Sequence, residues 1–280
     1  MGGHGHGDVS RIQVVHVSAP TCWWSWGYEA VFNRLPLVYG DQIDVKIATY
    51  CVYNDFNEYL EHNGMKDVGE IESWAKEAAD QMGVPIFTAL SGFAFPKSAF
   101  PASLAVMAAM QQGHEKGARF MRSMLRQFVV EGKDTTQDGP MDIAAKEAGL
   151  DLAKFDEASQ DEKGLLQDYE AQGEGMPHLP VGFYNVAVTD GDRRTVLIDH
   201  AFEPAEVEAA VDWLSGGKLR KSSPTDVLGY LKAHGPASLV ELRRVFSMDS
   251  GAMKAKLDSL AKEGKAETVS LAGSPHWISR

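Results

Sequence analysis

Ile12-Gln13-Val14-Val15-His16-Val17 is a β-rich run that leads through Ser18-Ala19-Pro20-Thr21 into Cys22-Trp23-Trp24-Ser25, and then into Trp26-Gly27-Tyr28-Glu29-Ala30-Val31-Phe32. A strand that ends in a tight aromatic turn and then becomes a helix puts the Cys22 sulfur at a helix N-terminus. The unpaired N–H groups and positive dipole end found there favour the thiolate over the thiol, which makes a cysteine nucleophilic. The spacing is that of a C-x-x-C redox site, with Ser25 where the second cysteine would stand. The helix is predicted to run to about Leu35, where Pro36 ends or kinks it. Ile43-Asp44-Val45-Lys46-Ile47 then alternates apolar and polar residues as a half-buried strand does. Strand, helix, strand in this order is a parallel crossover unit.

Farther along, Ile71, Trp74, Ala75, Ala78 and Met82 recur at helix spacing, as do Leu104, Met107 and Ala108, and then Met121, Met124, Leu125 and Phe128. Residues 140–149 and 152–169 read as two more helices. The β pattern returns over 181–189 and 195–199, with Asp190-Gly191-Asp192 as the turn of a hairpin. Residues 204–214 read as a closing helix ended by Gly216-Gly217.

The C-terminal part has its own logic. Residues 218–224 read as a linker. Val227, Leu228 and Leu231 then make one helix, stopped at Gly235-Pro236. Ser238 caps a second helix, with Glu241 at the capping-box position. Met253, Leu257 and Leu260 mark a third, ending at Gly264, and residues 266–278 form a hairpin about Gly273-Ser274-Pro275. Three short helices followed by a hairpin is the winged-helix pattern, so residues 225–280 are expected to be a small separate domain.

With 280 residues, 44% of them hydrophobic, the chain has enough apolar surface for a large core and an unequal second domain. No run of eighteen apolar residues occurs, which argues against a membrane span. The first eight residues lack the apolar segment of a secretory signal. Together with only two cysteines, this makes a reducing cytoplasm the expected location. Charge is uneven: residues 218–280 hold 11 basic and 6 acidic side chains, whereas 1–217 hold 16 and 33. Such asymmetry suggests two parts with different partners. Arg243, Arg244, Lys254, Lys256 and Lys262 would clamp phosphates if the third tail helix entered a DNA groove. The modest excess of positive charge beside so acidic a body makes nucleic acid a disfavoured partner.

In this order of parts the chain resembles the DsbA family of thioredoxin-like proteins, over roughly its first three quarters. The resemblance is carried by the strand before Ala19-Pro20-Thr21-Cys22-Trp23-Trp24-Ser25-Trp26-Gly27-Tyr28-Glu29, by Trp74-Ala75-Lys76-Glu77-Ala78-Ala79-Asp80-Gln81-Met82-Gly83-Val84-Pro85, by Phe100-Pro101-Ala102-Ser103-Leu104-Ala105, and by a late proline before a strand. It implies an α/β fold: a thioredoxin-like sheet over 11–217, with a helical insertion at about 67–170. It also implies that Cys22 attacks disulfides and forms mixed ones. Ser25 cannot resolve them and can at most hydrogen-bond the Cys22 sulfur. The family's cis-proline beside the cysteine is assigned to Pro180, with Leu179 before it as a substrate contact, and Pro177 is the rival. Kappa-class glutathione transferases and the 2-hydroxychromene-2-carboxylate isomerases share the scaffold but usually carry serine at the position of Cys22.

Trp23 and Trp24 are candidate substrate contacts, although some of the aromatics around the cysteine belong to the core. Cys51 reads as a buried thiol, with an unorthodox resolving role as the alternative. His178 is read as a solvent-facing loop histidine and Glu29 as a residue that favours the helix dipole. The expected function is thiol–disulfide exchange with protein thiols or disulfides. No motif requires a metal or organic cofactor, and glutathione is the expected co-substrate. The alternatives are a protein adaptor or redox-responsive regulator using the tail module, and a glutathione-dependent enzyme of the kappa type.

Overall fold

The structure, a computed structural model, describes residues 11–174, 186–190, 194–200 and 202–280. It opens with strand β1 (Ile12–Ser18), helices α1 (Trp23–Gly27) and α2 (Glu29–Tyr39), and strand β2 (Ile43–Thr49). Seven helices follow: α3 (Phe56–His62), α4 (Val68–Met82), α5 (Phe100–Met110), α6 (His114–Leu125), α7 (Asp138–Glu147), α8 (Leu152–Gln160) and α9 (Glu162–Glu174). The chain then returns to the sheet as β3 (Val186–Thr189) and β4 (Thr195–Ile198), and α10 (Pro204–Ser215) closes this part. The four strands lie in the order β2-β1-β3-β4, with β1 parallel to β2 and antiparallel to β3. Strand β1 is central because Ile12, Val14, Val15 and Val17 are all buried, so it is apolar on both faces.

The helix after Cys22 departs from the sequence expectation in two places. It breaks at Tyr28, which ends α1 and begins α2. Gly27 weakens the helix there and permits close packing: an added Cβ would stand 2.5 Å from Met82 Sδ and 2.8 Å from Phe202. Pro36, expected to end or kink the helix at about Leu35, lies inside α2, which continues to Tyr39. Leu35, Val38 and Tyr39 are buried around it, and that packing offsets the hydrogen bond the proline cannot donate. The stretch 152–169 likewise divides at Asp161, whose carboxylate accepts from Gly164 N at 3.0 Å and so starts α9.

The last part consists of α11 (Val227–His234), β5 (Ala237–Ser238), α12 (Leu239–Phe246), α13 (Ser250–Lys262), β6 (Ala266–Leu271) and β7 (Ser274–Ser279). Its antiparallel sheet has the order β5-β7-β6. Tyr230, Leu242, Val245, Met253 and Trp277 form a core here to which Ala30 of α2 also belongs. Residues 218–224 are stitched down: Ser222 N donates to Val38 O at 2.8 Å, Gln42 brackets Arg220, and Lys221 reaches Glu208 and Asp212. Arg34 of α2 pairs with Glu208 at 2.7 Å and donates to Val245 O of α12.

A buried ion-pair cluster crosses the same boundary. Arg122 of α6 meets Glu29 of α2 at 2.9 Å and Glu241 of α12 at 2.7 Å, while Tyr230 donates to Glu241. This extends two sequence readings. Glu29 stands in the first turn of α2, where an acid favours the helix dipole, and is also the partner of a buried arginine. Ser238 does cap α12 by accepting from Glu241 N, but the Glu241 side chain turns to Arg122. Arg244, proposed for phosphates, instead pairs with Glu203 at 2.8 Å, its side chain only 9% exposed.

Candidate active site

The parallel pairing of β1 and β2 runs from Ile12 against Ile43 to Ser18 against Thr49, so the two strands end side by side. The chain leaves β1 through Ala19-Pro20-Thr21, and Cys22 N donates back to Ala19 O at 3.1 Å, closing a turn. Cys22 is therefore the N-cap of α1, with extended backbone. Its side chain is largely covered, the residue being 7% exposed, yet it lines the wall of a cleft.

Tyr50 follows β2 directly. Its N–H donates to Ser18 O at 3.0 Å and its carbonyl accepts from Ser103 Oγ at 2.9 Å, which fixes the backbone that carries the ring. From there Tyr50 Oη donates to Cys22 Sγ at 3.3 Å. Burial, reinforced by the neighbouring sulfur, holds the Tyr50 phenol well above its usual range, so it stays protonated and able to donate. Ser25, read as the hydroxyl beside the sulfur, is fully buried, and its Oγ accepts from Ala19 N at 3.1 Å. It holds the turn, and the hydroxyl bonded to Cys22 comes from Tyr50. The sequence did contain a signal for this: the first residue after a strand parallel to β1 must end near the turn that follows β1.

The cleft measures about 680 Å³. Trp23 and Trp24 of α1 form one wall, Tyr53, Phe56 and Tyr59 another, and Trp74 of α4 with Phe95 a third. Trp23 is mostly a packing residue, edge-on to Trp74 and to Phe95 at 6.4 Å each, with a small face on the cleft. Trp24 is more open; it stacks on Phe202 and meets the edge of the His200 ring at 4.9 Å.

Cys51 is a free thiol whose Sγ donates to Tyr53 O at 3.1 Å. Burial pushes it up to about 11, so it is a thiol at neutral pH. Pro177, His178, Leu179 and Pro180 lie outside the described residues.

A family model described as Thioredoxin matches residues 18–170, more than half of the chain. The chain belongs to the thioredoxin family. Among solved structures, this thioredoxin-family chain is similar to a putative protein disulfide isomerase from Nitrosomonas europaea, with a TM-score of 0.57 at 18% identity, covering 74% of this chain and 98% of that one. The cytosolic disulfide reductase DsbM from Pseudomonas aeruginosa is alike at a TM-score of 0.56 and 19% identity, covering 72% of this chain and 97% of that one; it has also been solved with GSH. These likenesses make the fold DsbA-like. Over 92% of its length the chain is also 22% identical to the ClpXP adapter protein SpxH of Halalkalibacterium halodurans, of which it covers 85%. Among the described residues no helix is long and apolar enough to cross a membrane.

Proposed function

We propose that this protein exchanges thiols and disulfides through Cys22. The observation that carries the reading is the Cys22 sulfur at the start of α1, on the wall of a cleft, with the Tyr50 hydroxyl donating to it. A hydrogen bond to sulfur stabilises the thiolate relative to the thiol. The thiolate attacks a substrate disulfide, a Cys22–substrate disulfide forms, and the released thiolate takes up a proton. Ser25 has no sulfur and Cys51 is held as a thiol, so an external thiol, glutathione being the candidate co-substrate, frees the enzyme. The cis-proline role stays with Pro180 or Pro177. The two free cysteines support a reducing cytoplasm as the working compartment.

Mixed-disulfide trapping tests this. With a peptide disulfide, the wild-type protein accumulates one adduct, Cys22→Ser accumulates none, and Ser25→Cys releases the adduct by closing an internal disulfide. Adducts of equal yield in wild type and Cys22→Ser would end the proposal.

A second reading is a protein adaptor. It is favoured by the similarity to the adapter SpxH, which extends over nearly the whole chain, and by a C-terminal part whose core takes in Ala30 of α2. Here the aromatic cleft or the tail would hold a protein partner without turnover. The trapping experiment distinguishes the two, since an adaptor binds its partner equally well as Cys22→Ser.

A further inference from the structure

We infer that the cleft beside Cys22 selects neutral cysteinyl peptides that carry an aromatic residue next to the cysteine, and discriminates against carboxylate-bearing partners such as glutathione. The inference rests on the exchange chemistry proposed for Cys22 and adds the substrate class. Three features support it. The walls within reach of the sulfur are aromatic, and a volume of about 680 Å³ accommodates a side chain together with its flanking amides. Charge is complementary to such a group and opposed to an acid. Among the described residues no lysine or arginine lines the cleft, and the carboxylate on its wall is Asp199, which pairs with His200 Nδ1 at 2.8 Å. A carboxylate entering there gives up water without meeting a lysine or arginine, and the group it faces, Asp199, already holds the His200 imidazole. Finally, Thr21 and Tyr53 line the cleft, each more than nine-tenths buried, and their hydroxyls have no hydrogen-bond partner among the described residues. Both oxygens are themselves covered, so either hydroxyl has to turn toward the cleft to donate to a neutral amide carbonyl.

Glutathione then resolves adducts by attack from solvent rather than as a ligand seated in the cleft. In the selected reaction the Cys22 thiolate attacks one sulfur of the peptide disulfide. The Cys22–peptide bond forms, the peptide's own S–S bond breaks, and the departing peptide thiolate is protonated by solvent.

The test measures the rate of Cys22 adduct formation, by intact mass, with three symmetric disulfides: that of N-acetyl-Phe-Cys-amide, that of N-acetyl-Glu-Cys-amide, and oxidised glutathione. Each rate is divided by that of the same disulfide with free N-acetylcysteine amide, which removes intrinsic reactivity. The expected result is a preference of about tenfold or more for the phenylalanine peptide over both acidic ones. Asp199→Asn should narrow the gap by about twofold to threefold, and Tyr59→Ala should slow only the phenylalanine peptide. Equal normalised rates, or a faster glutathione reaction, overturn the selectivity and leave the exchange reading standing. Silence from all three, with Cys22 still open to iodoacetamide, overturns both.

Discussion

Tyr50 Oη donates to Cys22 Sγ across 3.3 Å, joining the residue that follows β2 to the residue that starts α1. A hydrogen bond to an ionised group is worth roughly 1.5–3 kcal/mol, about twice a neutral one. Its loss should therefore reach the reactivity of the sulfur without disturbing the fold. Tyr50→Phe is expected to slow iodoacetamide alkylation of Cys22 at neutral pH about tenfold. Ser25→Ala, which loses only the bond to Ala19 N, should change it by less than about twofold. Stopped-flow alkylation of the two variants decides the matter, and a Tyr50→Phe protein as fast as wild type removes Tyr50 from the mechanism.

Cys51 should be silent in the same assay. Burial pushes its thiol up to about 11, so roughly one molecule in a thousand carries the thiolate at pH 8. The folded protein is expected to take one alkyl group at pH 8, on Cys22, and the second only in denaturant or above about pH 10. Cys51→Ser should leave adduct formation and release unchanged. Peptide mapping of the singly labelled protein checks the first point; slower release in Cys51→Ser would restore Cys51 as a resolving thiol.

The parts legible in the sequence were those governed by short-range rules. A β-rich run located β1 and alternation located β2. A strand running into a cysteine turn located the start of α1. The Ser238 cap and the glycines at 235 and 264 bounded the tail helices. What escaped was long-range. Glu29 lies 93 residues from Arg122 and Glu241 another 119 beyond it, so local rules could assign both acids only to helix ends. The break at Tyr28 followed from how closely α1 approaches Met82 and Phe202, and Tyr50 depended on the parallel register of β1 and β2.

His16 makes the fold acid-sensitive. It is fully buried in β1, its ring stacked on Phe32 at 4.1 Å, and burial pushes the imidazole down to about 3 from an ordinary value of 6.5. The unfolded chain thus takes up this proton first as pH falls. The stability His16 contributes is complete above pH 6.5 and is lost between 6.5 and about 3. One such group gives a slope of about 1.4 kcal/mol per pH unit in that window. Urea denaturation between pH 6 and pH 4 should show the slope in wild type and a reduction by about one proton in His16→Phe. His234, likewise pushed down to about 3 by burial and by Arg122 and Arg119, supplies a second proton that the variant retains. An unchanged slope in His16→Phe would mean that His16 is hydrated or paired in solution.

Arg122 ties the tail to the helix that follows Cys22, and its removal should loosen that joint. Its side chain and those of Glu29 and Glu241 are each 5–7% exposed. The guanidinium also donates to His234 O at 2.8 Å and lies 5.2 Å from the Trp26 ring centroid. Burial raises the Glu29 carboxyl while Arg122 pulls it down, so deleting the arginine leaves the acid only the long hydrogen bond from Asn33 against burial and the neighbouring Glu241. Arg122→Met is therefore expected to cost about 3–5 kcal/mol, the usual consequence of stranding buried charges. Adding Glu29→Gln and Glu241→Gln to it should recover at least about half of the loss, because neutral amides are cheaper to bury than unpaired carboxylates. Limited proteolysis gives the local readout: Arg122→Met should be cut within 218–224, a segment that wild type protects by its bonds to Val38 and Gln42. A loss below about 1 kcal/mol with protection intact would show that apolar packing of α2 against α12, rather than the ion pairs, holds the two parts together.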